Sequence, residues 1–225
     1  MGEAIGQVLT FGVGVALSPI PIIAVVLMLA TPRGRVNGPA FLAGWILGLA
    51  VVGTVVLLAA SGAEASENGG PSEGLSIVKL ALGVLLLVVA LRQWRERPQD
   101  DTDPELPKWM RTIDSFTPVR AGGIAIALSA VNPKNLLLTV GAGAAIAQTG
   151  ASTGYQAVAL AVFVLLGTLG PGVPVGIYFL MRSRATAILE DMRGWMAREN
   201  ATIMAVLCLI IGAKLIGDAI SGLSG

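Results

Sequence analysis

Residues 127–138 read ALSAVNPKNLLL, which sets Asn132, Pro133 and Lys134 inside an apolar run long enough to cross a bilayer. Pro133 cannot donate to the carbonyl of Ser129, so a backbone acceptor is freed within the membrane. A lysine near the midplane costs roughly 3 kcal/mol on insertion scales. Asn132 before Pro133 is a good N-cap followed by proline at the first helical position, the usual way to restart a helix. The stretch therefore predicts a helix that breaks and resumes within one span.

The rest of the chain supplies the spans around it. The 225 residues are 54% hydrophobic and 13% charged, with a mean hydropathy of +0.78, which places them among integral membrane proteins. Apolar runs of about 20 residues, enough for roughly 30 Å of hydrocarbon, recur near 4–30, 39–60, 75–94, 121–147, 154–181 and 201–220. They are continuous and do not alternate, which favours a helical bundle over a β-barrel. The opening MGEAIGQVLTFG lacks the basic start of a signal peptide and is expected to be a retained first helix.

Charge placement predicts the orientation. Arg33, Arg35, Arg92, Arg95, Arg97, Lys108, Arg111, Arg120, Arg182, Arg184, Arg193 and Arg198 all fall in the odd-numbered connections. The opposite connections carry Glu64, Glu67 and Glu73 and no base, so both termini are expected outside the cytoplasm. Of the three bases left within spans, Lys79 is near an outer end and is expected to snorkel, with coupling as the alternative role. Lys214 and Asp218, four apart on one helix face, are expected to pair, as a structural bridge or a coupling site. Residues 185–198 and the WMRTIDSF segment place apolar residues at helical spacing and are expected to lie along the inner membrane surface.

The break at Pro133 has an earlier counterpart. ALSPIPIIAVVL at 16–27 resembles ALSAVNPKNLLL, and Gly53-Thr54 has a partner in Gly167-Thr168 at nearly the same offset. These matches predict two three-helix repeats, 1–94 and 121–225, joined by a cytoplasmic connection at 95–120. Three is odd, so the second copy enters from the opposite face, giving an inverted-topology repeat of the kind found in transporters. The fold expected is an all-α membrane protein of six transmembrane helices, broken in helices one and four, with GTLGPGVPVG at 167–176 as a third break in helix five. There Gly170, Pro171, Gly172 and Pro174 serve either as a hinge for alternating access or as a packing surface.

Ser18-Pro19, with Pro21 beyond, restarts helix one as Asn132-Pro133 restarts helix four. Two half-helix N-termini then project positive dipole ends toward the bundle centre, with Lys134 beside them. That arrangement favours an anionic group on a substrate: carboxylate, phosphate or sulfate.

Other chemistry is poorly served. Cys208 is the single cysteine and there is no histidine, so a dithiol relay or zinc site lacks its ligands and no cofactor is expected. The spans hold no acid–base–nucleophile set, and Asp100, Asp101, Asp103 and Glu105 read as a solvated charge run, so the chain is not expected to be an enzyme. No G-x-x-x-x-G-K-[ST] occurs, so energy must come from an ion gradient or a partner.

The layout resembles the lysine exporter (LysE) superfamily, with SPIPIIAVVLMLATPRGRVNG similar to its first break and NPKN to its second. Within it, the long mixed loop after helix three and the proline-rich fifth helix look most like the GAP group, the actinobacterial glycopeptidolipid- and sulfolipid-addressing proteins. Amino-acid exporters of the superfamily usually show Pro-Gly-Pro where this chain has Ser-Pro-Ile-Pro, which argues against an amino-acid substrate. The resemblance implies a bacterial inner-membrane protein that moves an anionic lipid or glycolipid of the cell envelope outward. It carries over Pro19 and Pro21 for the first break and Asn132, Pro133 and Lys134 for the second, the last three as a headgroup or coupling site; together with Ser18 and Asn135 these are the candidate substrate-binding residues. The partners implied are membrane lipids and a lipid export or synthesis machine, not nucleic acid, and the small-residue content admits a homodimer. Two other readings remain: an exporter of a small anionic or zwitterionic solute such as an amino acid, and a non-transporting scaffold for lipid machinery.

Overall fold

The computed structural model describes residues 2–64, 73–95, 97, 108–181 and 184–223. The acids at 100–105, Glu67 and Arg182 lie outside the described residues. In chain order the α-helices are α1 Gly2–Ala16, α2 Pro19–Leu29, α3 Gly34–Glu64, α4 Glu73–Arg95, α5 Pro118–Ala130, α6 Pro133–Ala147, α7 Thr153–Met181, α8 Ala185–Arg198 and α9 Asn200–Leu223. A 3-10 helix, Lys108–Ser115, precedes α5. Helices α3, α4, α7 and α9 are each long and apolar enough to cross a membrane. The pairs α1/α2 and α5/α6 pass only when joined, and each is bent at its break, by 51° and 60°. Counting each bent pair as one span raises the candidate spans from four to six among the described residues.

Both bends occur at the dipeptides expected to restart a helix. Ser18 and Asn132 occupy the N-cap positions with extended ψ angles of 110° and 121°, and proline follows each. Helix α5 starts earlier than its apolar run, at Pro118, because Thr117 caps it and accepts from the Arg120 backbone N–H at 3.4 Å.

Helix five departs from expectation, because α7 runs unbroken from Thr153 to Met181 with Pro171 and Pro174 inside it. Pro171 deprives the Gly167 carbonyl of its helical donor, and the buried Trp45 indole N–H of α3 donates to that oxygen at 3.1 Å. The freed acceptor is satisfied from a neighbouring helix, so the backbone need not open.

The WMRTIDSF segment also differs. It folds as a 3-10 helix and not as an α-helix on the membrane surface, so residues three apart share a face. Met110, Ile113 and Phe116 are that face, and they are buried against the core beside α2. The Asn37 side chain of α3 donates to the Phe116 carbonyl at 3.0 Å and ties the segment down. Helix α8 spans the expected 185–198, yet Ala185, Leu189 and Met196 are buried on α2 and α7, leaving Trp195 half-exposed. Its apolar face is therefore spent largely on the protein's own bundle.

The most extensive pairings are α4 with α9, α3 with α5, and α1 with α7. Small residues permit them. A Cβ on Gly44 would stand 2.3 Å from the Gly122 carbonyl oxygen of α5, and one on Gly170 2.2 Å from that of Ala16. The core between these helices is filled by Phe11, Phe41, Trp45, Leu49, Leu138 and Phe163, all fully buried.

Candidate functional site

The two breaks, more than a hundred residues apart in sequence, meet. At the first, Pro19 has no N–H for the Val15 carbonyl, and Ser18 N–H tightens onto Val15 at 3.1 Å instead of reaching Gly14. The acceptor left over is the Gly14 carbonyl. Lys134 Nζ donates to it at 2.9 Å, placing a cation on the C-terminal end of α1 where the helix dipole is negative.

At the second break the backbone slips the other way. Val131 N–H keeps its helical bond to the Ala127 carbonyl at 2.9 Å and Asn132 N–H joins it there at 3.1 Å, so the Leu128 carbonyl loses its partner. Asn135 Nδ2 donates to it at 2.9 Å. The Gly14 and Leu128 carbonyls are thus both satisfied by side chains from the first turn of α6.

Ser18 connects the two halves. Its hydroxyl donates to Asn135 Oδ1 at 2.8 Å and accepts from Lys134 Nζ at 2.8 Å. Because the hydroxyl is committed there, Ser18 makes no side-chain cap on α2, although its backbone holds the N-cap conformation. Asn132 does cap its helix, accepting from the Lys134 backbone N–H at 3.1 Å. Lys134 is only 5% exposed, and no carboxylate pairs with it among the described residues. Its two bonds leave one N–H of the ammonium uncommitted there.

The expectation of two donor-rich helix ends needs correction at α2. Pro19 and Pro21 occupy its first and third positions, so neither offers an N–H, and Ile20 supplies the one backbone donor of the first turn. At α6 the Lys134 N–H is already capped. The positive character of the site therefore rests on the Lys134 side chain far more than on backbone N–H groups.

The other predicted residues fall around this cluster. Gly170 packs against the last turn of α1 next to the first break, whereas Gly172 meets nothing closer than a Thr168 methyl at 3.9 Å. Pro171 and Pro174 are buried. Lys214 pairs with Asp218 at 2.5 Å and also donates to Gln7 Oε1 at 3.0 Å, with Phe11 lying under its Nζ at 5.5 Å from the ring centre. Gln7, Phe11 and Gly14 follow one face of α1 at spacings of four and three, so the Lys214 pair and Lys134, which touch those residues, lie along a common stripe. Lys79 does not reach out to the interface; it is buried, and its Nζ donates to Gln148 Oε1 at the end of α6.

Sequence reasoning missed the Gly14 and Leu128 carbonyls and Trp45. The carbonyls carry no side-chain signal, since the local slip of the backbone selects them. Trp45 was detectable: an indole within a span needs an acceptor, and Pro171 in α7 was freeing one.

Residues 8–221 match the family described as Sap, sulfolipid-1-addressing protein. The chain belongs to that family. No curated protein and no solved structure matches it. The match covers both breaks, the 3-10 segment and the whole of α3 to α8, so the cluster lies inside the matched range. The chain is accordingly a multi-pass, all-helical membrane protein of a lipid-related family.

Proposed function

We propose that this sulfolipid-addressing family protein is a transporter that moves an anionic lipid or glycolipid of the cell envelope across the inner membrane. The carrying observation is Lys134, a buried cation with no carboxylate partner among the described residues, where two helix breaks meet. Burying an unpaired charge is expensive, and the helix-end carbonyl and hydroxyl that hold it are neutral. An anionic headgroup would complete the set. In the structure Lys134 bonds the Gly14 carbonyl and Ser18. Separation of the breaks frees it for the headgroup, and α1 and α2 move relative to α5 and α6.

The packing supports an inverted repeat of the LysE type. Helix α3 of the first half packs on α5, and α7 of the second half packs on α1, the exchange expected if the halves are related by a two-fold axis. Helix α4 with α9 is the corresponding self-exchanging pair. Grooves lined by apolar side chains open on the outer faces of the bundle, as beside Leu17 and Ile22 at the first break, which favours a lipid over a small solute.

The test is translocation of a fluorescent phosphatidylglycerol in reconstituted vesicles. Lys134→Ala is expected to slow it about tenfold or more, in line with loss of a charge-assisted contact. Lys134→Gln, which keeps a donor for the Gly14 carbonyl, separates charge from folding. Wild-type rates in both variants would overturn the anion site.

A further inference from the structure

A second feature lies at the far end of the α4–α9 pair. These helices run antiparallel: Gly83 meets Gly212 and, further along, Ser76 meets Gly222. The last turn of α4 therefore lies beside the first turns of α9. Between them is a groove of about 430 Å³ with Ala90 and Ala205 at its narrow side chains and Leu87, Leu91, Trp94 and Leu209 around them. Leu91, Trp94 and Leu209 are about half exposed, so the groove opens on the side of the bundle facing lipid.

Its end carries charge. Arg92 and Arg95 stand exposed in the last turn of α4, and the Arg97 guanidinium lies over the Trp94 ring at 4.0 Å from the centroid. None of the three pairs with a carboxylate among the described residues. An apolar slot for a chain, an aromatic beside it and an exposed arginine crown are the parts that recognise an anionic phospholipid. A second copy of the chain fits poorly. A two-fold pairing through this groove would bring each arginine crown against its own copy.

We infer that the α4–α9 groove is a binding site for an anionic phospholipid, its acyl chain along Leu87, Leu91 and Leu209 and its headgroup on Arg92, Arg95 and Arg97. The site is separate from Lys134 and does not depend on transport. A lipid held there wedges the base of the α4–α9 pair, which Gly83 and Gly212 bring into contact further along.

Trp94 supplies the test. The full chain is reconstituted in phosphatidylcholine vesicles doped with brominated phosphatidylglycerol or, at equal mole fraction, brominated phosphatidylcholine. The Trp94 contribution to quenching is obtained by subtracting the Trp94→Phe variant. Brominated phosphatidylglycerol is expected to quench Trp94 with an apparent affinity about fivefold or more above that of phosphatidylcholine, the preference one favourable arginine contact can supply. Arg92→Gln/Arg95→Gln/Arg97→Gln should abolish the preference. So should Leu91→Trp, measured by retention of phosphatidylglycerol in native mass spectrometry, which fills the slot and leaves the crown intact. Lys134→Ala should leave the preference unchanged, so failure of the transport reading and failure of this one are distinguishable. Equal quenching by the two lipids, a preference that survives the triple variant, or protection of Trp94 from both lipids by self-association would each overturn the site.

Discussion

At the residue scale, Ser18 does the most with one atom, because its hydroxyl donates to Asn135 and accepts from Lys134. Ser18→Ala leaves a buried amide oxygen unpaired and takes one of the two acceptors from the ammonium. A loss of about 1–3 kcal/mol is expected, read as a lower midpoint in thermal unfolding in detergent. Ser18→Thr, which retains the hydroxyl, should recover most of it; equal losses would mean that the bridge contributes nothing. The residues of this cluster were legible in the sequence, since a lysine beside Asn-Pro in a span is costly enough to demand a reason. Their partners were not. Which carbonyl Lys134 takes depends on Ser18 N–H shifting from Gly14 to Val15, a displacement that no side chain announces.

At the element scale, the contrast is between prolines that bend a helix and prolines that do not. Pro19 and Pro133 follow N-cap residues and the helices turn there; Pro171 follows Gly170, Pro174 follows Val173, and α7 continues. The difference at Pro171 is Trp45, which donates to the Gly167 carbonyl. Trp45→Phe should cost about 1–3 kcal/mol when Pro171 is present. Pro171→Ala restores the helical donor, so the same change in that background should cost less, and a double-mutant cycle measures the coupling. Additive effects would show that the indole is not compensating for the proline. Glycines in the same helix separate in the same way. Gly170→Ala would drive its Cβ into the Ala16 carbonyl at 2.2 Å, whereas Gly176→Ala meets nothing within 4 Å. The first should destabilise by about 1–3 kcal/mol through overpacking and the second be neutral or stabilising, since alanine favours a helix; thermal midpoints decide it. Gly170 thus acts as a contact surface for the first break, the packing alternative that the sequence left beside a hinge.

At the scale of the whole molecule, the charge asymmetry predicts sidedness. In a Cys208→Ala background, Asp114→Cys, next to the basic connection, should react with an impermeant thiol reagent only from the cytoplasm, and Ser152→Cys only from outside. The reverse pattern would invert the topology. The long apolar helices, the break positions and the resemblance to sulfolipid-addressing proteins were all open to sequence reading, because each depends on local properties: the length of an apolar run, the missing N–H of a proline, the residues of a short motif. The sequence by itself determined that this is a helical membrane protein of the sulfolipid-addressing family with two interrupted helices. Tertiary structure decided what local rules cannot reach. It brought Ser18 to Asn135 across 117 positions, supplied Trp45 to keep α7 whole, and turned the 110, 113 and 116 face of a 3-10 helix into the core. The physical reason is common to all three. In a bilayer, a freed carbonyl or an apolar face must be satisfied by another part of the protein, and which part is settled only when the helices pack.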